Sequence, residues 1–144
     1  MDERLDLMLQ TVGERQLWWR AQYNEDLSDW SELQSLGQLA GLVKSLAVPG
    51  DWLQVEDEEP ITRYAQVMLI DAGAFHVETA ACRPEGTYNW RIGYGSAADD
   101  AGNSPASGTE GMQELDTAST IEVLTSWAAG RGLPLGYGAA LHMY

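Results

Sequence analysis

Apolar side chains recur at steps of three and four residues over the first part of the chain. This spacing places them on one face of a helix. The pattern predicts a first helix that ends near Asn24. Its first turn is acidic, from Asp2 to Asp6, which suits the positive end of the helix dipole. The apolar face of this helix would consist of Leu5, Met8, Leu9, Val12, Trp19 and Tyr23.

A second helix is predicted to begin near Asp29 and to end before Pro49. Asp29 and Glu32 have the spacing of a capping box, in which two side chains bond the first free backbone N–H groups of a helix. Gly37 and Gly41 lie on one face of this helix because they are four residues apart. They would either let another backbone approach closely or only loosen the helix, and the pattern does not decide between these two.

Alternation of apolar and polar residues takes over in the middle of the chain, which is typical of strands with one buried face. Two turn sequences separate these runs, Asp71-Ala72-Gly73 and Arg83-Pro84-Glu85-Gly86. Residues 62–70 are apolar on both faces, which favours a central strand. In all, strands are predicted over residues 52–56, 62–70, 74–80 and 87–94.

The last third of the chain opens with residues 95–111, which are small and polar without one large apolar side chain. This composition predicts a flexible loop. A third helix follows, with Thr117 or Ser119 as its N-cap and Gly130 at its C-terminal end. The alternation in residues 137–144 predicts a final strand, and the pattern leaves open whether it joins the same sheet.

These elements predict an α+β fold in a single domain over residues 1–144. Its sheet would be an antiparallel meander of four or five strands. Two N-terminal helices and one C-terminal helix would pack on that sheet. The hydrophobic content of 44% is enough for a buried core, so global disorder is not expected.

The charge balance excludes several classes of partner. Acidic residues number 22 and basic residues 8, which gives a net charge of -14. Binding to nucleic acid or to an anionic membrane needs clustered Lys and Arg, so neither is expected. The chain also has no apolar run long enough for a membrane span, no signal peptide at its start and a single cysteine. We therefore expect a cytoplasmic protein.

Candidate catalytic and metal-binding residues do not converge in the sequence. Cys82 and His76 point to the same face of one strand, but six residues of strand span about 20 Å. A zinc site would have to combine His76, Glu78, Cys82 and His142, without any of the usual ligand spacings. Residues 99–103 carry oxygen ligands but lack the calcium-loop pattern. We expect no enzyme activity and no cofactor or metal.

Aromatic and acidic residues suggest a binding surface instead. Six Trp and six Tyr stand against one Phe, and Trp and Tyr are enriched at protein interfaces. Two alternatives stay open: the acidic turn at residues 56–59 is only solvated surface, and the aromatic side chains only cover the sheet. We predict as partner-binding residues four carboxylates of one turn and three aromatic side chains: Glu56, Asp57, Glu58, Glu59, Trp18, Tyr88 and Trp90.

Three short segments carry a resemblance to known families: residues 46–53, from Leu46 through Pro49-Gly50-Asp51-Trp52 to Leu53, residues 63–67 (Arg-Tyr-Ala-Gln-Val) and residues 73–78 (Gly-Ala-Phe-His-Val-Glu). Together these segments resemble actinobacterial YbjN-like, type III secretion chaperone-like domains and the immunity proteins of polymorphic toxins. It covers residues 28–94, and the opening helices and the loop depart from the chaperone pattern. The resemblance implies a protein that binds another protein and has no catalytic residues.

The function that we predict is a small acidic, non-catalytic protein that binds a protein partner. An immunity protein or inhibitor that neutralises a basic toxin or enzyme fits the charge best, because nuclease and deaminase toxins must hold nucleic acid. A secretion-chaperone-like, peptide-binding protein and a phage or structural assembly component are the alternatives. The sequence leaves open whether the chain forms a homodimer.

Overall fold

The computed structural model describes residues 16–94 and 114–143, with residues 141–143 described by their backbone. These residues form nine strands and two helices. The helices are α1 (Leu36–Ser45) and α2 (Thr117–Ala128). The strands are β1 (Leu17–Tyr23), β2 (Asp26–Leu27), β3 (Ser31–Glu32), β4 (Trp52–Asp57), β5 (Arg63–Asp71), β6 (Ala74–Arg83), β7 (Gly86–Tyr94), β8 (Glu114–Leu115) and β9 (Tyr137–Met143).

All nine strands belong to one antiparallel sheet with the order β2-β1-β4-β5-β6-β7-β9. The short strand β3 also pairs with β1, and the short strand β8 pairs with β6. The prediction of an α+β fold with an antiparallel sheet is therefore confirmed. The prediction of four or five strands is wrong, because the segment of β1 was predicted as a helix and because the three strands of two residues are too short to produce an alternating pattern.

Pairing register divides the sheet into two faces. The face that we call the core face lies under both helices and includes Val55, Val67 and Val77. The two helices complete this core with five side chains: Leu39, Val43, Val123, Leu124 and Trp127. The other face, which we call the polar face, carries neither of the two described helices. It includes Trp18, Arg20, Gln22, Trp52, Gln54, Glu56, Tyr64, Gln66, Met68, His76, Glu78, Ala80, Asn89 and Arg91.

The predicted first helix is wrong for the part that the structure describes, because Leu17–Tyr23 is strand β1. Apolar residues occupy every second position of this segment, at Leu17, Trp19 and Ala21. The two-residue repeat of a strand therefore fits it as well as the helical spacing does. Pairing with β4 along six residue positions decides in favour of the strand. The remainder of that predicted helix, residues 1–15, lies outside the described residues.

The second predicted helix exists but begins later, at Leu36. Its N-cap is Ser35, whose hydroxyl accepts a hydrogen bond from the backbone N–H of Gln38 at 3.1 Å. A methyl group built on Gly41 would meet nothing within 4 Å, and at Gly37 it would meet only a nearby serine hydroxyl at 3.8 Å. No backbone approaches these glycines closely within the described residues, so they only loosen the helix.

The four strands predicted in the middle of the chain are confirmed as β4 to β7, with bounds that differ by at most three residues. The predicted turns at residues 71–73 and 83–86 join β5 to β6 and β6 to β7. Strand β5 is central, with β4 and β6 on its two sides. Alternation along β6 is visible in its burial, with Phe75 and Val77 in the core and His76 half-buried.

The start of α2 differs from the prediction, whereas its end at Gly130 is as predicted. Its N-cap is Asp116, whose carboxylate accepts from the backbone N–H of Ser119 at 2.7 Å. Gly130 follows the helix with a φ of 73°, and the N–H of Arg131 bonds the carbonyl of Ser126. The final strand, β9, joins the same sheet beside β7. The loop predicted over residues 95–111 lies outside the described residues.

A buried arginine attaches the end of α2 to the sheet. Asp57 accepts from the backbone N–H of Thr62 at 2.8 Å and from the hydroxyl of the same residue. Arg63, beside it, donates through Nη1 to the carbonyl of Trp127 at 2.7 Å and through Nη2 to that of Ala128 at 3.3 Å. The guanidinium also lies 4.5 Å from the centre of the Trp127 ring. A cation at the negative end of the helix dipole thus fixes α2.

Candidate functional site

A tryptophan flanked by two carboxylates lies on the polar face, at the β3-β1-β4 end of the sheet. Trp18 in β1 pairs with Glu32 in β3 on one side and with Glu56 in β4 on the other. Directly opposed residues of antiparallel strands place their side chains on one face, with Cβ atoms about 5 Å apart. Trp18 remains 36% exposed. We call these three residues the acidic corner.

A cation enclosed by two further indoles adjoins the acidic corner. The guanidinium carbon of Arg20 lies 4.7 Å from the centre of the Trp30 ring and 5.7 Å from that of Trp52. Cation–π contacts of this kind hold a charged group and two rings in one arrangement. Trp30 is 37% exposed, so it extends the aromatic surface that begins at Trp18.

The electrostatic environment of Glu56 favours an added positive charge. Burial raises the pKa of Glu56 above its usual value, while the positive charge of Arg20 opposes this rise. The negative charges of Glu59 and Asp57 raise the pKa of Glu56 further. A cationic side chain placed against Glu56 would relieve this repulsion, because opposite charge stabilises the ionised carboxylate.

The acidic turn predicted to bind a partner does not form one patch. Asp57 lies on the core face and is only 1% exposed, so it cannot contact a partner. It is therefore removed from the predicted partner-binding residues. Its carboxylate holds the turn together because alternation along β4 directs it inward. Glu58 is exposed and accepts from the backbone N–H of Gln16 at 3.0 Å. Glu59 is exposed too, and Glu56 belongs to the acidic corner.

The two aromatic residues predicted in β7 lie on the core face. Trp90 is 2% exposed and belongs to the hydrophobic core, so it is also removed from the partner-binding set. Tyr88 is half-buried and stacks on Trp90, with ring centres 6.2 Å apart. Trp90 therefore has the alternative role considered from sequence, which was to cover the sheet, while partner binding by the half-buried Tyr88 stays a prediction. Of the three predicted aromatic residues, Trp18 is the exposed one.

Farther along the polar face the charges are paired with one another. Arg91 donates to Glu78 at 3.1 Å, and His76 Nε2 lies 3.9 Å from a carboxylate oxygen of Glu114. These groups border a shallow depression of about 90 Å³. Its lining consists of Gln66, Met68, His76, Glu78 and Arg91. The guanidinium of Arg91 thus already has an acidic partner within this depression.

The two residues considered as a catalytic pair, Cys82 and His76, remain apart. Cys82 and His76 occupy one strand six positions apart, about 20 Å. Burial raises the pKa of the Cys82 thiol, and the hydrogen bond with Thr87 only partly offsets this, so the thiol is protonated and weakly nucleophilic at neutral pH. Among the described residues, no group of three or more His, Cys, Asp or Glu is placed to hold a metal ion. The calcium candidate, residues 99–103, lies outside these residues.

Sequence reasoning missed Glu32, Arg20, Trp30 and Trp52 as parts of this surface. A signal was present, since residues 17–23 alternate apolar and mostly polar positions as a strand does. Assigning that segment to a helix hid the alternation. The pairing of Trp18 with two strands, which brings Glu32 beside it, depends on tertiary contacts.

Comparison with known proteins identifies no relative. No family model matches the chain, and neither a curated protein nor a solved structure matches it. Within residues 16–94 and 114–143, no helix is long and apolar enough to cross a membrane. The resemblance to YbjN-like domains and to immunity proteins stays a prediction from sequence.

Proposed function

We propose that this chain is a small acidic protein that binds and neutralises a basic protein, as an immunity protein or inhibitor neutralises a toxin or enzyme. It acts in the cytoplasm without a cofactor and without catalysing a reaction. The observation that carries the proposal is the acidic corner, in which exposed Trp18 lies between Glu32 and Glu56.

The acidic corner has the chemistry that recognises a lysine or arginine side chain. An indole attracts a cation to its face, and the flanking carboxylates supply charge-assisted hydrogen bonds to the same cation. Tryptophan is among the residues that contribute most to binding energy at protein interfaces. Because Trp18 is held on a strand between two neighbours, little conformational entropy is lost when a partner covers it.

The net charge of -14 supports the same partner chemistry at long range. An excess of one charge steers an oppositely charged partner and raises the association rate by one to three orders of magnitude at low salt. Toxins that act on nucleic acid are basic for the reason given above, so they are the partners that this charge favours.

The polar face argues against the secretion-chaperone alternative. A chaperone that holds an apolar peptide would present an apolar groove, whereas Gln54, Gln66, Glu78 and Arg91 cross this face in one row of paired residues. A secretion-chaperone-like protein would bind its client with little dependence on salt, and the experiment below separates the two functions.

The test is the affinity of the purified chain for a basic protein, sought first among the products of the genes that neighbour its own and measured by biolayer interferometry. Trp18→Ala should raise the Kd at least tenfold, mostly through faster dissociation. The double variant Glu32→Gln, Glu56→Gln should slow association several-fold, because it removes two negative charges from the contact.

A matched control removes two exposed negative charges elsewhere, through Glu25→Gln and Glu85→Gln in two turns. If this control slows association as much as the corner variants do, net charge alone acts and the acidic corner is not the docking site. Binding that is indifferent to 0.5 M salt and to Trp18→Ala would contradict the proposal and favour a chaperone.

A further inference from the structure

Arg20 stands on β1 two residues after Trp18, so both side chains lie on the polar face. The indoles of Trp30 and Trp52 lie against its guanidinium, as described above. Aromatic rings engage the faces of a guanidinium and leave its edge, which carries the N–H donors, available for hydrogen bonds. What these donors bond decides whether Arg20 only holds the two indoles or also binds a ligand.

Within residues 16–94 and 114–143, the donors of Arg20 have no acceptor. Its Nε is buried without a hydrogen-bond partner, and no ion pair includes its guanidinium. Its two Nη groups are not among the buried unpartnered atoms, so they are accessible at the surface. Other arginines of the sheet use their donors: Arg63 bonds two carbonyls, and Arg91 pairs with Glu78.

A carboxylate is the group that fits the donors of Arg20. Its two oxygens match the fork of a guanidinium, and charge-assisted hydrogen bonds of this kind are strong. Because the indoles already hold the guanidinium, little conformational entropy is lost on binding. The net charge of -14 repels free anions, so a carboxylate approaches Arg20 readily only as part of a molecule that is positively charged overall.

We propose that Arg20 binds an Asp or Glu side chain of the basic partner, next to the Lys or Arg that occupies the acidic corner. This inference rests on the proposed function and names the surface of the partner more closely. Trp18 and Arg20 are two residues apart on an extended strand, about 7 Å. The partner therefore presents a cation and a carboxylate at about this distance, as neighbours on one helical turn or one strand face do.

This contact supplies a selectivity that net charge cannot give. A charge of -14 attracts any basic protein. A partner surface that carried only Lys and Arg would place a like charge against Arg20 and leave its donors unpaired in the interface. Arg20 thus disfavours basic proteins that lack a carboxylate at this position.

The test uses two capped tripeptides, acetyl-Lys-Ala-Glu-amide and acetyl-Lys-Ala-Gln-amide, titrated into the isotope-labelled chain and followed by NMR. The indole N–H signals of Trp18, Trp30 and Trp52 report binding at each part of the site. In an extended peptide the first and third side chains lie on one side, about 7 Å apart. The Glu peptide should bind about threefold tighter than the Gln peptide, although its positive charge is smaller by one.

Two substitutions of Arg20 separate its binding role from a structural one. Arg20→Gln should reverse the preference, because the Gln peptide keeps the larger positive charge. Arg20→Lys should retain part of the preference, because an ammonium keeps the charge but lacks the fork. The matched control is Arg91→Gln on the same face, which should leave the preference unchanged because Arg91 is already paired with Glu78. Thermal unfolding by circular dichroism checks that each variant is folded.

The outcomes distinguish this inference from the proposed function. Equal affinity of the parent chain for the two peptides, or equal weakening of both by Arg20→Gln, would mean that Arg20 only holds the indoles and would overturn the inference. The proposed function would stand in that case if Trp18→Ala still weakened both peptides. No shift of the Trp18 signal with either peptide at 50 mM would contradict cation binding at the acidic corner, and with it both proposals.

Discussion

At the scale of single residues, two buried carboxylates hold the chain together. Asp57 closes the turn after β4, where it accepts from the backbone N–H and the hydroxyl of Thr62, and its charge acts on the nearby Arg63 that fixes α2. Asp51 is 3% exposed and accepts from the backbone N–H groups of Asn24, Ala47 and Val48 at 2.7 to 3.0 Å. It thereby connects the turn after β1 to the segment between α1 and β4. Acidic residues of this chain thus divide into structural ones and exposed ones.

Arg63→Ala should lower the free energy of unfolding by about 3 kcal/mol, because it removes the buried donors from two carbonyls at the end of α2. It also removes a positive charge that interacts with the buried carboxylate of Asp57. Urea denaturation followed by tryptophan fluorescence measures the change. The control is Arg91→Ala, which breaks a partly exposed pair with Glu78 and should cost less than about 1 kcal/mol. Equal effects of the two variants would mean that Arg63 does not fix α2.

Asp51→Asn should destabilise the protein by about 2 kcal/mol at pH 7, because one amide oxygen cannot satisfy three backbone N–H groups. Burial by itself would raise the pKa of Asp51, but the bonds from Asn24, Val48 and Ala47 outweigh it and hold the pKa below its usual 3.8. A lowered folded-state pKa means that this stabilisation is present at neutral pH and is lost as the pH falls below about 4.

The measurement for Asp51→Asn is urea denaturation at pH 7, 5, 4 and 3. The difference in free energy of unfolding between parent and variant should become smaller as the pH is lowered from 7 to 3. Asp71→Asn, at an exposed turn, serves as control and should change little at any pH. A gap that stays constant down to pH 3 would show that the charge of Asp51 contributes nothing.

At the scale of elements, the two helices differ in how their glycines are used. Gly37 and Gly41 stand in α1 at exposed positions with free space around them. Gly130 ends α2 with a φ of 73°, where the N–H groups of Gly130 and Arg131 bond the carbonyls of Trp127 and Ser126. The first two glycines weaken their helix, and the third is needed where it stands.

Gly41→Ala should therefore stabilise the protein by about 0.8 kcal/mol, and Gly130→Ala should destabilise it by about 1 kcal/mol. The same chemical change thus has opposite signs at the two positions. Thermal unfolding by circular dichroism resolves both shifts. If Gly41→Ala lowered the stability instead, another backbone would have to pack closely against this glycine, which is the other alternative predicted from sequence.

At the scale of the whole molecule, the net charge of -14 acts at long range and the acidic corner acts at contact distance. Both would favour the basic partner that we propose. Salt screens the long-range attraction, so the association rate reports on the net charge.

Raising NaCl from 0.05 to 0.5 M should slow association with the proposed basic partner by at least about tenfold, because salt screens the attraction between opposite charges. Stopped-flow mixing measures the association rate. An association rate that does not change with salt would contradict the proposed role of the net charge.

Local patterns in the sequence determined the α+β class, the strands β4 to β7 with their turns, and the end of α2 at Gly130. Each of these depends on alternation or on turn residues that act over a few neighbours. Tertiary contacts alone decided that Leu17–Tyr23 is a strand, since its aromatic residues fit both periods until β4 pairs with it. The same contacts placed Glu32 beside Trp18 and buried Asp57 and Trp90, because burial and cross-strand neighbours depend on residues distant in the chain.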